Sequence, residues 1–298
     1  MIKNGNISFP SDVDITLNFQ NSQLTVSWKT PISTHGTTTA VVSPTKGHLP
    51  SALKPIRKIH TWVAFKRYVS ELPSEQFIFR GQQNADWRLR TTFHRHARCN
   101  LQKFLTTDVP ELQRVFSSLT TYRYNLDNGH EYAAFLSLAQ HHGYPTPMLD
   151  WTWSPYIAAF FAYRNLRSRG RFKRNDKVRI LKFSAYEWNT RIRRFNGLFP
   201  FPQHVSLLVP LAIGNARAIP QQALSMITNI DDVETYLSNF DGALGGTPAL
   251  EAIDLPASAR PQVMQDLALM GITSASLFPG LDGACEALRE KNFSSSRS

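Results

Sequence analysis

The segment LSLAQHHGYPTPMLDWTWSPYIAAFFAY (136–163) gathers two adjacent histidines, a Gly-Tyr-Pro-Thr-Pro turn, an acid and the run Trp-Thr-Trp-Ser within 28 residues. Helical patterns flank it. Before it, HEYAAFLSLAQHHG (130–143) sets Tyr132, Phe135, Leu136 and Ala139 on one face, and Gly143 suits a left-handed stop. That places His141 and His142 in the last helical turn, where the negative helix end favours a charged imidazole. After it, Thr152 or Ser154 can cap PYIAAFFAYRNL, with Pro155 at the first helical position. The small residues Ala158, Ala159 and Ala162 suit close packing on a neighbour. A polar, aromatic stretch held between two buried helices reads as a site. The competing reading is a proline-rich turn whose tryptophans fill the core.

Working outward, 298 residues suffice for one large domain or two small ones. A hydrophobic fraction of 42% with 18% charged residues excludes a disordered chain. No apolar run is long enough to cross a bilayer, and MIKNGNISFPSDVD lacks the apolar core of a secretory signal. Cys99 and Cys285 give no disulfide framework and suit a reducing cytoplasm.

The net charge of +11 points to nucleic acid first and acidic surfaces second. Residues 164–194 hold twelve Lys and Arg, among them Arg169, Arg171, Lys173, Arg174, Arg191, Arg193 and Arg194, against Asp176 and Glu187. Phe172, Phe183, Tyr186, Trp188 and Phe195 are interleaved. Such a patch can neutralise phosphates and stack on unpaired bases. It equally suits a solvated linker or an exposed helix end.

DITLNFQ and LTVSWKT alternate around Asn21-Ser22 as a β-hairpin, and residues 31–55 read as a linker or long loop. The expected organisation is an N-terminal hairpin extension and linker over 1–50, a main domain over 51–290 and a disordered tail over 291–298. The hairpin is too small for its own core and should pack on the main domain or on a partner. A helix is expected over 58–72 and a strand over 76–81 ending in Arg80-Gly81. Arg80 can grip a phosphate or carboxylate in bidentate fashion, and Gly81 permits close backbone approach. An arginine paired with a neighbouring acid fits the same residues. His94, His96 and Cys99 lack a matching second pair, so no metal is expected. Further strands are expected over 177–188 and 204–213, a strand-to-loop passage over 215–228, and helices over 231–240, 258–272 and near 276–290.

Phe-Arg-Gly at 79–81 followed by Gln82, then A-Q-H-H-G-x-P-T-x-x-L-D-W-T-x-S-P-x-x-A-x-x-F-A at 139–162, resembles the FRG-domain family. ARAIPQQAL (216–224) and GITSASLFPGLDG (271–283) resemble its later elements, although Ala223 and Leu224 stand where Gly and Phe are expected. The layout also resembles Arg-Ser-Glu mono-ADP-ribosyltransferases. That resemblance implies an α+β fold, with a mixed or antiparallel β core in two small sheets around a cleft, flanked by helices. It implies NAD as substrate, with Arg80, Gly81, Trp151, Trp153 and Ser154 holding it, and Arg80, His141, Asp150, Thr152 and Gln222 in the chemistry. Gln221 or Gln222 falls where the transferases carry a glutamate, and a glutamine cannot act as a base. The family's contexts imply a toxin or anti-phage defence effector acting on RNA or DNA, with an antitoxin or chaperone as a further partner. The alternatives are a non-catalytic nucleic-acid- or partner-binding module and a hydrolase using His141 and Asp150.

Overall fold

The computed structural model describes residues 11–41, 46–96, 100–166, 172–173, 175–193, 195, 198 and 202–293. The chain divides into two compact units, Met1–Lys46 and Gly47–Ser298. The first is an antiparallel sheet of β1 (Asp14–Gln20), β2 (Gln23–Lys29) and β3 (His35–Val41). Asn21 and Ser22 take left-handed φ values of 50° and 61°, as a two-residue hairpin turn requires. The third strand corrects the linker expected over 31–55. HGTTTAV carries no alternating apolar row, but its threonines are β-branched and favour extended backbone. Gly36 is needed there, because a Cβ would lie 2.1 Å from the Trp28 ring that covers it.

The second unit is built on a six-stranded sheet in the order β7-β8-β5-β4-β6-β9. Its strands are β4 (Ile78–Gln82), β5 (Met148–Thr152), β6 (Lys177–Phe183), β7 (Val205–Leu208), β8 (Ala223–Thr228) and β9 (Leu250–Pro256). All neighbours pair antiparallel. Helices α1 (Trp62–Ser70), α2 (Thr92–Arg95) and α3 (Leu101–Lys103) come first; a π-helical turn then leads into α4 (Val109–Leu119). They are followed by α5 (Gly129–His141), α6 (Pro155–Tyr163), α7 (Ala185–Arg191) and α8 (Val233–Ser238), then α9 (Arg260–Leu269), α10 (Ser274–Leu277) and α11 (Leu281–Phe293). The fold is α+β, as the sequence leads one to expect. The expected strand over 177–188 ends at Phe183, where Ser184 turns the chain into α7.

The sheet consists of two halves, β7-β8-β5 and β4-β6-β9. β4 pairs with β6 through five residues but with β5 only at Phe79↔Thr152. Side-chain alternation sorts the core. Phe79 and Ile180 join a cluster with α1, α6 and α9. Ile78, Leu181, Leu149 and Trp151 join a second cluster with α7 and α8 on the other face. Met148 and Ile227 meet α5 in a third. Phe79 and Thr152 are cross-strand partners and so share a face. The first and third clusters therefore cover different halves of one face, with β4 and β5 between them.

Candidate functional site

β4 carries Arg80 into the place where pairing with β5 stops. Its Nη1 donates to the Asp150 carbonyl, and its Nε is buried with no hydrogen-bond partner. Leaving a charged donor unsatisfied in the interior is costly, so an orphan here calls for an explanation. Burial pulls the guanidinium below its ordinary value, the Asp150 carboxylate opposes this, and Arg95 adds to the lowering. Arginine nevertheless remains charged.

Arg80 lines a cleft of about 300 Å³ together with Gly81, Trp87, Arg90, Arg95, His141, Asp150, Thr152, Phe161, Arg164, Gln221, Ser225 and Phe278, among others. Asp150 is the one carboxylate among its described lining residues. Arg90 is paired with Asp231, and Arg164 with Glu286 while stacking 3.8 Å from the Phe278 ring centre. Arg80 and Arg95 have no ion-pair partner among the described residues. The cleft therefore holds two uncompensated guanidiniums near one carboxylate.

Asp150 is exposed on β5, and its Oδ2 accepts from Gln140 Nε2, whose Oε1 accepts from the buried Thr146 hydroxyl. His141 Nδ1 lies 2.9 Å from Asn215 Nδ2. The Asn215 Oδ1 accepts from the Arg217 N–H (3.1 Å), which turns the amide NH2 toward the imidazole. Burial lowers the His141 pKa. Asp150 opposes, Arg217 and His142 reinforce the lowering, and a hydrogen bond with the Ser137 backbone opposes it. The sequence reading, in which the helix end favours a charged His141, is corrected: desolvation outweighs the helix terminus.

Five residues expected at the site have structural work, and three of them, Gly81, Trp151 and Thr152, also line the cleft. Gly81 lines the cleft, but a Cβ there would lie 2.0 Å from the Ala158 carbonyl, so it permits close packing of α6 on β4. Ser154 caps α6 by accepting from the Ile157 N–H (3.2 Å), and Thr152 is buried and accepts from the Ser154 N–H (3.1 Å). Trp151 is only 2% exposed and tilts against Phe183. Trp153 packs against the same apolar cluster and is not among the cleft-lining residues. Gln222 is exposed with φ at 48° and stands outside the lining, whereas Gln221 is inside it, its Nε2 donating to the Leu277 carbonyl (2.9 Å). Trp87, 49% exposed, is with Phe161 and Phe278 a cleft aromatic that sequence reasoning missed. Its signal was available: Trp-Arg-Leu-Arg directly follows the β4 turn.

Of the nucleic-acid candidates, Arg169, Arg171, Arg174 and Arg194 lie outside the described residues. Lys173 and Arg193 are exposed, and Arg191 pairs with Glu187 at 2.6 Å. Arg179 and Lys182, in the same basic stretch, are neutralised by Asp254 and Glu251 of β9. Cys99 also lies outside the described residues, and His94 Nδ1 is 2.7 Å from Thr91 Oγ1. Among the described residues, no three His, Cys, Asp or Glu side chains are grouped to hold a metal ion. None of the described helices is long and apolar enough to cross a membrane.

Fold and cleft thus define an α+β protein with a cationic, aromatic-walled site at a break between two strands. The FRG-domain family model matches residues 75–171. The match takes in Arg80, Trp87, Arg95, His141 and Asp150, while Gln221, Ser225 and Phe278 on the remaining wall come from outside it. No curated protein and no solved structure matches the chain.

Proposed function

We propose that the cleft binds NAD and breaks its nicotinamide–ribose bond, passing ADP-ribose to an acceptor. The observation that carries this reading is the Arg80 guanidinium: half-buried, charged, without an ion-pair partner among the described residues, with a buried Nε unfilled and Arg95 within electrostatic reach. Two such cations suit the two phosphates of a dinucleotide.

The bond that breaks is ribose C1′–N, and its electron pair leaves with nicotinamide. Positive charge develops at C1′, and Asp150 is the cleft carboxylate placed to stabilise it. The acceptor's lone pair then bonds to C1′, and its proton passes to His141 Nδ1, which gives up its hydrogen bond from the Asn215 amide to receive it. Gln221 lines the cleft where the transferase resemblance calls for a glutamate. It cannot act as a base, so the proton step falls to His141. The chain's charge of +11 favours RNA or DNA as acceptor, and the family resemblance favours a toxin or anti-phage role held in check by an antitoxin.

The test uses NAD labelled in its adenylate phosphate, with RNA, DNA and protein offered as acceptors. Nicotinamide release with label transfer is expected, and Asp150→Asn should lower the rate roughly 100-fold while NAD still binds. NAD binding without release in the wild type would leave a binding module. Full turnover by Asp150→Asn would remove the assigned chemistry.

A further inference from the structure

The loop between β4 and α2 is tied down by hydrogen bonds at both ends, yet it exposes its largest side chain. Asn84 Oδ1 accepts from the Asp86 N–H (2.8 Å), and the Asp86 carbonyl accepts from the Ser51 N–H (2.9 Å). Immediately after Trp87, Arg88 binds Asp232 in bidentate fashion at 2.8 and 3.1 Å and reaches the Pro50 carbonyl at 3.1 Å. The Leu89 N–H donates to Glu234 Oε1 (2.7 Å), and the Leu89 side chain is fully buried. Between these anchors the Trp87 indole is 49% exposed on the wall of the cleft. Trp62, Trp151 and Trp188 are buried in the core, as packing alone would have them. A tryptophan held half-exposed on a fixed backbone costs little further ordering when a flat ligand covers it. Arg90 and Arg95, three and eight residues further on, line the same cleft.

We infer that Trp87 is the base-stacking platform of the site, and that the preferred ligand joins a purine-type base to a phosphate chain. The base lies on the indole, and the phosphates meet Arg80 and Arg95. This rests on the nucleotide reading of the cleft but not on turnover, because it concerns binding alone.

Calorimetric titrations of ADP-ribose and of ribose 5-phosphate into the full chain test it. ADP-ribose should bind the wild type and bind Trp87→Ala about ten- to a hundredfold more weakly, the range given by removing one aromatic under a base. Trp87→Phe should recover most of that loss, and ribose 5-phosphate should bind all three proteins alike. The side chain is half-exposed, so matched melting curves are expected and separate binding from folding. Equal ADP-ribose affinity in wild type and Trp87→Ala would overturn the platform while leaving the phosphate site standing. No ADP-ribose binding by the wild type would overturn both. A loss for ribose 5-phosphate as large as for ADP-ribose would show that Trp87 shapes the cleft rather than stacking on a base.

Discussion

Two arginines on adjacent strands are satisfied by the fold to very different degrees. Arg179 of β6 is 4% exposed and satisfied on every side. Its Nε and Nη2 hold Asp254 at 2.7 and 2.9 Å, and its other donors reach Ser51 Oγ (2.7 Å) and the Leu53 carbonyl (3.2 Å). Arg80 of β4 has one backbone acceptor and a buried Nε with none. The fold closes around Arg179 and leaves Arg80 open. A satisfied buried pair resists loss of either partner, whereas an unsatisfied cation is a cost that ligand binding can relieve.

The largest expected effect sets these two apart. Arg179→Ala strands the Asp254 carboxylate and should cost about 3–5 kcal/mol in denaturant unfolding. Arg80→Ala should leave the unfolding midpoint unchanged or raised. If Arg80→Ala proves as destabilising as Arg179→Ala, the contrast is broken.

Next in size comes acid sensitivity. Burial holds His94 down to about 4, with Asp231 opposing and Arg90 reinforcing. The unfolded chain takes up that proton near pH 6.5, and the folded chain does so only near 4. Stability from this group is therefore complete above about pH 6.5 and is lost as the pH falls toward 4, by at most about 3 kcal/mol. His94→Asn should flatten the slope of unfolding free energy across that window. Asp232, Asp266 and Glu286 are held below their ordinary values, so their losses begin at lower pH.

Gly81→Ala sharpens the comparison within the cleft itself. Its Cβ would collide with the Ala158 carbonyl, so a loss of about 1–3 kcal/mol is expected although the residue adjoins Arg80. Smallest is Ser154→Ala, which should cost about 1 kcal/mol as a helix cap and leave nucleotide affinity unchanged.

The same contrast explains what could be read in the sequence. Phe-Arg-Gly and the 139–162 block were legible because so many unusual residues fall at fixed spacing, and Arg80, His141 and Asp150 do converge on one cleft. β9 was not legible. LEAIDLP carries two acids that argue against a buried strand, and only the register Arg179↔Asp254 and Lys182↔Glu251 supplies their partners from β6. β3 hid for a related reason, since Thr-rich HGTTTAV becomes a strand only beside β2. Spacing alone cannot tell how far each tryptophan opens onto the cleft, which both Trp87 and Trp151 line. Trp151 is 2% exposed there and Trp87 49%. The helix end beside His141 is visible in sequence, whereas the burial that lowers its pKa is not.

The most direct test of the central claim measures nicotinamide release from NAD by wild type and Arg80→Ala, with melting curves of both. The proposed transferase role of Arg80 predicts release by the wild type and a loss of about 100-fold or more in Arg80→Ala at an unchanged or higher melting temperature. Release by Arg80→Ala at the wild-type rate would contradict it, as would a loss of activity that merely follows a fall in melting temperature.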